Sequence, residues 1–250
     1  MSNKIQAVIL AGGKGTRLAP LTDNLPKPLV PVLGRPMMVY VLEHLKAAGI
    51  TNVAIAVAHL GHLIEQEFGT GGGLGMQISY LKEPEPMGTG GWSKLVDWSG
   101  LADDFLVLNA DNLFWIDVAA FIARHKEAKA RATIAAIEIP SETAINYELL
   151  APNTEHTRLL DYVDRTRGQE LRAKPTVFVS SGWYIMTPAV REHVPGWLPV
   201  SNEAHIWPAL AQSGAPLGFY RATEPWFDSG THERLARVEA FLRDKYNGAV

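Results

Sequence analysis

The chain has no cysteine among its 250 residues. That excludes a disulfide framework, a thiol nucleophile and a thiolate zinc site, and leaves oxygen to hold any metal. No apolar run approaches the roughly 18 residues of a membrane-spanning helix, and no signal-peptide pattern precedes the first apolar segment. A soluble, cytoplasmic protein with no membrane partner is expected. Lys/Arg-rich runs are missing as well: 23 basic residues face 26 acidic ones for a net charge of −3. Such a balance offers no field for nonspecific attraction to DNA or RNA, so any affinity for phosphate must be local. There is no internal repeat.

What is present is concentrated between Val8 and Pro28, V-I-L-A-G-G-K-G-T-R-L-A-P-L-T-D-N-L-P-K-P. Ala7-Val8-Ile9-Leu10 is a short continuous apolar run, as expected of a strand covered on both faces of a parallel sheet. Gly12, Gly13 and Gly15 follow at once. Lacking Cβ atoms, they let the backbone turn N–H groups toward an approaching anion. Arg17 adds a charged fork and Lys27, between two prolines, a point charge. The loop has neither the G-K-[ST] of a Walker motif nor the G-x-G-x-x-G of a dinucleotide fold, which removes the main support for a kinase or dehydrogenase.

Beyond the loop the pattern alternates helix and strand. Residues 36–49 form an amphipathic helix with Val39, Leu42, Leu45 and Ala48 on one stripe and Gly49 as its stop. Strands are expected at 53–57, 77–81 and 105–109, with a helix at 60–68 between the first two. This β-α-β-α-β order argues for a mostly parallel sheet with helices on both faces. The third strand ends in Ala110-Asp111-Asn112, and ligands of such sheets sit at the carboxyl ends of strands. Further on, a helix is expected at 118–128 and strands at 132–139 and 177–185. A short helix should span 205–212 and a terminal one 233–246. Residues 141–174 are irregular and polar, with candidate strands at 149–150 and 159–163. His59 and His62 lack zinc spacing, and Gly71-Gly72-Gly73, with no cation beside it, reads as a flexible turn.

The pairing of G-G-K-G-T-R-L-A-P-L-T with P-K-P resembles the signature of the sugar-1-phosphate nucleotidylyltransferases. W-F-D-S-G-T around Asp228 resembles the family's W-x-D-x-G-T motif, and M-G-T-G-G at 87–91 its base-reading segment. The short muramic acid-1-phosphate uridylyltransferases and heptose-1-phosphate guanylyltransferases are the most similar in style. The resemblance implies a Rossmann-like, three-layer α/β/α fold of GT-A type in one domain over 1–250, with a small sugar-facing lobe at about 141–176. With no hexapeptide array, the left-handed β-helix of bifunctional relatives is not expected. It also implies transfer of a nucleotidyl group from an NTP to a sugar 1-phosphate with release of pyrophosphate. Arg17, Lys27 and Asp111 would be catalytic, with Asp111 and Asp228 holding Mg²⁺. The NTP would lie on Leu10, Ala11, Gly12, Gly13, Gly15, Thr16, Arg17, Glu83, Gly88 and Thr89. The sugar phosphate would lie on Asn112, Tyr147, Glu148, Arg165 and Gly182.

Three departures bear on the acceptor: Asn146-Tyr147-Glu148 where Y-G is usual, Val163-Asp164-Arg165 where E-K-P is usual, and Ser180-Ser181-Gly182-Trp183-Tyr184 for N-A-G-I-Y. They suggest an unusual sugar or polyol, while Glu148 and Arg165 could equally form a plain surface pair. Glu83 suits the N1–H and N2–H₂ donors of guanine, which tilts the base toward GTP with UTP still open. Ala110-Asp111-Asn112 is also compatible with a cytidylyltransferase acting on phosphocholine or a polyol phosphate. A silent sugar-nucleotide sensor would be expected to lose Arg17, Lys27, Asp111 or Asp228, all of which remain. A monomer or small homo-oligomer is expected.

Overall fold

The computed structural model describes residues 4–145, 147–163 and 168–247. The chain opens with β1 (Ile5–Leu10), a minimal hairpin of β2 (Pro31–Val32) and β3 (Arg35–Pro36), then α1 (Met37–Ala47) and β4 (Asn52–Val57). Next come α2 (Gly61–Phe68), β5 (Gln77–Lys82), β6 (Leu101–Asn109), β7 (Asn112–Phe114), α3 (Val118–Ala128) and β8 (Ala132–Pro140). The remainder is β9 (Leu149–Pro152), β10 (Leu159–Val163), α4 (Gln169–Arg172), β11 (Thr176–Met186), α5 (Trp207–Gln212), β12 (Leu217–Ala222), β13 (Trp226–Asp228) and α6 (His232–Asn247).

The elements expected from periodicity are present with ends shifted by a few residues. α3 begins where it does because the Asp117 carboxylate accepts from the Ala120 N–H at 2.9 Å, an N-cap that satisfies one orphan donor. Gly49, at φ +81, ends α1 in the left-handed conformation that a glycine adopts without a Cβ penalty. β6 starts at Leu101 rather than 105, and Trp92 sits in a single 3-10 turn, Gly91–Lys94, rather than a helix. The expected helix at 205–212 is split: a π-turn over Asn202–Ile206 runs into α5. The turn from Gly71 to Gly75 is packed at Gly71, against Ile78, and leaves Gly72 and Gly73 exposed.

β6, β1, β4 and β5 run parallel side by side. β11 pairs antiparallel with β6 and with β8, and β12 is parallel to β8, within one 9-stranded sheet. β9 and β10 attach to the first half of β11. Alternate residues of the central strands enter opposite cores, as a sheet covered on both faces requires. Ile9, Leu108 and Trp183 face α1 and α6, while Val8, Val107 and Tyr184 face the layer built by Trp92, Ile206 and Trp207. From β1 the chain moves toward β4, and from β6 it moves the other way, toward β8. A crevice therefore opens between the carboxyl ends of β1 and β6, the switch point where open α/β sheets bind ligands.

One buried titratable group joins three of these elements. His125 of α3 is 2% exposed; its Nδ1 lies 2.7 Å from the Thr133 hydroxyl of β8, and its Nε2 lies 3.3 Å from Asp104 of β6. Burial lowers its pKa from the ordinary 6.5, opposed by Asp104 and assisted by Lys126. Above 6.5 the ring is neutral in both states and its contribution is fully present; as pH falls below that value the unfolded chain takes up the proton first and stability is lost. His125→Leu should cost about 1–3 kcal/mol at pH 7 through the orphaned Thr133 hydroxyl. It should also show a shallower loss of stability between pH 7 and 5 than the parent in urea titrations.

Candidate active site

The loop after β1 is tied down at its start by the Ala11 N–H, which donates to the Ala56 carbonyl at 2.8 Å. Gly15 has φ +65, and a Cβ there would stand 3.1 Å from both Lys27 and Thr22. Its carbonyl accepts from the Thr22 hydroxyl at 2.9 Å. From this kink a 3-10 turn, Thr16–Leu18, buries Leu18 completely and leaves Arg17 exposed beside it. Among the described residues no carboxylate pairs with Arg17. A second 3-10 turn, Lys27–Leu29, starts at Pro26. It holds Lys27 at 6% exposure with its Nζ 2.6 Å from Asp111 Oδ2.

Asp111 follows the end of β6, where the chain turns into β7. β7 pairs antiparallel with β13 so that Asn112 stands opposite Asp228, which brings the two aspartates to one spot from positions 117 residues apart. Ser229 closes the junction, its hydroxyl donating to the Asp111 carbonyl at 2.6 Å. Asp228 is heavily bonded. Its Oδ1 accepts from the Gly230 N–H at 2.8 Å, and its Oδ2 accepts from the Tyr147 hydroxyl at 2.8 Å and from the Arg234 guanidinium. A Cβ on Gly230 would stand 2.8 Å from Asp228 Oδ1, and Arg17 lies beside the same turn, with a nitrogen 3.4 Å from that position.

Two clefts meet at this spot. One, of about 980 Å³, is lined by all ten residues expected on the nucleotide, from Leu10 to Arg17 and at Glu83, Gly88 and Thr89, together with Lys27 and Asp111. The other, of about 810 Å³, is lined by Asn112, Tyr147, Glu148, Gly182 and Asp228. Arg17, Asn109 and Asp111 belong to both. Arg165 lies outside the described residues, as does Asn146. His59 is exposed at the rim of the larger cleft, whereas Trp92 is fully buried and Trp98 packs against it within the core.

The segment expected to read the base has a structural reason of its own. A Cβ on Gly88 would stand 2.3 Å from the Val200 carbonyl and one on Gly90 2.6 Å from the Val200 side chain. The close approach that both glycines permit is thus to Val200 of the chain, with Gly88 still at the cleft wall. Glu83 accepts from the Met87 N–H at 3.1 Å and sits between Gly12 and Gly91. Burial raises its pKa, and the Met87 hydrogen bond opposes that rise.

Several lining residues gave no signal of their own in the sequence: Asn109, Ser201, Glu203 and Arg234. Arg234 stands in the motif around Asp228 but is placed only by α6. Asn109 and Asn112 are oriented by Gly182, which has φ +79 at a bulge in β11. A Cβ there would stand 2.3 Å from Asn112 Nδ2 and 2.6 Å from Asn109 Nδ2, and Asn112 donates to the Ser181 carbonyl at 2.7 Å.

Among the described residues there is no group of three or more His, Asp or Glu able to hold a metal. Asp111, in the turn before β7, and Asp228, at the end of β13, supply hard oxygens at one spot, and among the described residues Asp111 Oδ1 has no partner. This donor set fits a small divalent cation that takes its other ligands from phosphate and water. No helix of the described residues is long and apolar enough to cross a membrane.

Gly182→Ala tests the bulge. The left-handed conformation alone costs about 1–2 kcal/mol for a residue with a Cβ, and both asparagines must also move. The variant should melt several degrees below the parent by circular dichroism, and an unchanged melting temperature would contradict this geometry.

Comparison with known proteins gives the family and the fold. A mannose-1-phosphate guanylyltransferase of Mycobacterium tuberculosis is 33% identical over 242 residues, covering 96% of this chain and 65% of the relative. A UTP–glucose-1-phosphate uridylyltransferase of Synechocystis is 30% identical, covering 90% and 60%. The chain thus spans less than two thirds of either curated relative. HddC from Yersinia pseudotuberculosis, crystallised with GMP-PN, has the same fold: its TM-score is 0.78 at 23% identity, covering 95% of this chain and 99% of that one. The model of the nucleotidyl transferase family matches residues 6–245, and the chain belongs to that family.

Proposed function

We propose that the chain makes a nucleoside diphosphate sugar and pyrophosphate from an NTP and a sugar 1-phosphate, working in the cytoplasm as a monomer or small homo-oligomer. The observation that carries this reading is that the two clefts share Arg17, Asn109 and Asp111. An acceptor phosphate in the smaller cleft can then face the α-phosphate of a nucleotide in the larger one.

The nucleophile is already an anion, so the barrier is electrostatic rather than one of proton removal. A sugar phosphate oxygen attacks the α-phosphorus while its bond to the β-phosphate oxygen breaks, and the charge leaves on pyrophosphate. The loop amides and Arg17 are suited to the β- and γ-phosphates, Arg17 having no carboxylate of its own to satisfy. Lys27 gives one of its three donors to Asp111 and can direct the others at the phosphates. Asp111 and Asp228 would hold Mg²⁺, which when bound offsets phosphate charge in the transition state. The family is generally divalent-metal dependent. Residues 141–176 would form the sugar-facing wall through Tyr147 and Glu148. GTP is the favoured nucleotide: Glu83 in the larger cleft suits guanine's two adjacent donors, and the Mycobacterium relative is named for the guanylyl reaction.

Pyrophosphate release with Mg²⁺, measured for the five common NTPs against hexose, amino-hexose, muramic and heptose 1-phosphates plus phosphocholine, tests the reading. Turnover with GTP and one sugar 1-phosphate is expected. Turnover with phosphocholine alone, or Mg²⁺-dependent NTP binding without turnover, would overturn it. Asp228→Ala and Lys27→Ala should each lower kcat by about 10²–10³, the usual worth of one transition-state charge contact. Glu83 is a carboxylate acceptor only above its raised pKa. The KM for GTP should therefore rise as pH falls toward that value, and Glu83→Gln should flatten the profile.

A further inference from the structure

One acidic residue of the smaller cleft is held in a way that neither the family motifs nor the transfer chemistry requires. Glu203 lies in the π-turn Asn202–Ile206, a kind of helical irregularity that often marks functional positions. Its Oε2 accepts two hydrogen bonds, from the Thr89 hydroxyl at 2.5 Å and the Ser201 hydroxyl at 2.8 Å. The Ser201 hydroxyl in turn accepts from the Glu203 and Ala204 N–H groups at 3.1 and 3.0 Å. Thr89 is fixed on its other side, its hydroxyl accepting from the Asn202 N–H at 3.0 Å and its carbonyl from Asn202 Nδ2 at 2.9 Å. The side chain therefore has one orientation.

The other oxygen is different. Among the described residues Oε1 has only the Tyr184 hydroxyl, at 3.4 Å, well beyond the usual 2.7–2.8 Å of such a bond. Among the described residues no cation pairs with Glu203. A half-buried carboxylate oxygen with one long contact and no counter-charge is under-satisfied, and Glu203 lines the smaller cleft. Thr89, meanwhile, lines the larger one.

We infer that Glu203 is a specificity-determining residue: its Oε1 accepts a hydrogen bond from a donor group on the body of the acceptor, a hydroxyl or an ammonium, and Thr89 and Ser201 lock it in that position. The inference rests on the nucleotidyl-transfer reading and narrows its acceptor to a phosphate whose body presents such a donor. It also makes Thr89, in the wall of one cleft, a positioning residue for the contents of the other.

Glu203→Gln separates recognition from folding. The amide can turn its carbonyl oxygen to Thr89 and Ser201, keeping both bonds, which leaves an NH₂ donor where the acceptor's own donor must bind. With mannose 1-phosphate as probe, KM for the sugar phosphate should rise about 10- to 100-fold, the worth of one hydrogen bond to a charged group. KM for the NTP should change less than twofold. Thr89→Val should raise the sugar phosphate KM in the same direction. Calorimetric titration of mannose 1-phosphate and glucosamine 1-phosphate into the Mg²⁺-loaded chain, with a non-hydrolysable NTP, reads the same effect without turnover. A larger loss with glucosamine 1-phosphate assigns the donor to an ammonium, and equal losses assign it to a hydroxyl. An active parent with a Glu203→Gln variant that keeps its sugar phosphate KM, or loses NTP and sugar phosphate equally, overturns this inference alone. A parent that neither binds nor turns over any sugar 1-phosphate of the hexose, amino-hexose, muramic and heptose panel overturns the functional reading and this inference with it.

Discussion

The contact on which the rest depends is the ion pair between Lys27 and Asp111, 2.6 Å long and 84 residues apart in sequence. An ammonium at 6% exposure is costly to desolvate, and removing Asp111, its partner, would leave that nearly buried charge uncompensated. The turn started by Pro26 and the end of β6 therefore have to arrive together. Their meeting fixes the loop between them: Gly15 packs on the Lys27 Cβ, Arg17 follows from Gly15, and Arg17 rests on Gly230 beside Asp228. A single electrostatic requirement thus sets the relative places of both loop cations and both carboxylates.

How much of this was legible in the sequence depended on how local each feature is. β1, its glycine loop and the P-K-P turn lie within one stretch, so the apolar run, the three glycines and the two cations could be read together. α3 was legible to the residue because its apolar stripe begins directly after the capping Asp117. The pairing of β7 with β13 was not, since three-residue strands have too few alternations to register as period two. Asp228 was recognisable only by a motif, and its neighbours Tyr147 and Arg234 came with the fold. β12 also escaped: Leu217–Ala222 contains Gly218, which reads as a turn. That glycine is there because Thr133 of β8 would stand 2.3 Å from any Cβ.

At Gly88 and Gly90 the fold gives the glycine pattern a reason of its own. Glycine permits close approach, but what approaches is the Val200 backbone, whose N–H donates to the Met87 carbonyl and whose carbonyl accepts from the Gly90 N–H, both at 2.8 Å. The segment that forms the wall of the larger cleft is therefore bolted to the segment that presents Glu203. A sequence pattern of glycines reports that something comes near, and only the folded chain says what.

The same distinction explains why the two clefts are unequally readable. The larger is built chiefly from the loops after β1 and β5, where Gly12, Gly13, Gly15 and Gly88 stand in short runs, and such features survive as motifs. The smaller is assembled from the ends of β6 and β11, from β7, β13, the π-turn and the start of α6, and it is lined by side chains: tyrosines, carboxylates, asparagines and Arg234. Its shape depends on long-range packing such as Gly182 against Asn109 and Asn112, and its chemistry on single residues such as Glu203. A scaffold divided in this way can keep the glycine loop of one cleft while altering one side chain at a time in the other. The departures at Glu148, Ser180 and Gly182 fall in the wall of the smaller cleft rather than in the glycine loop.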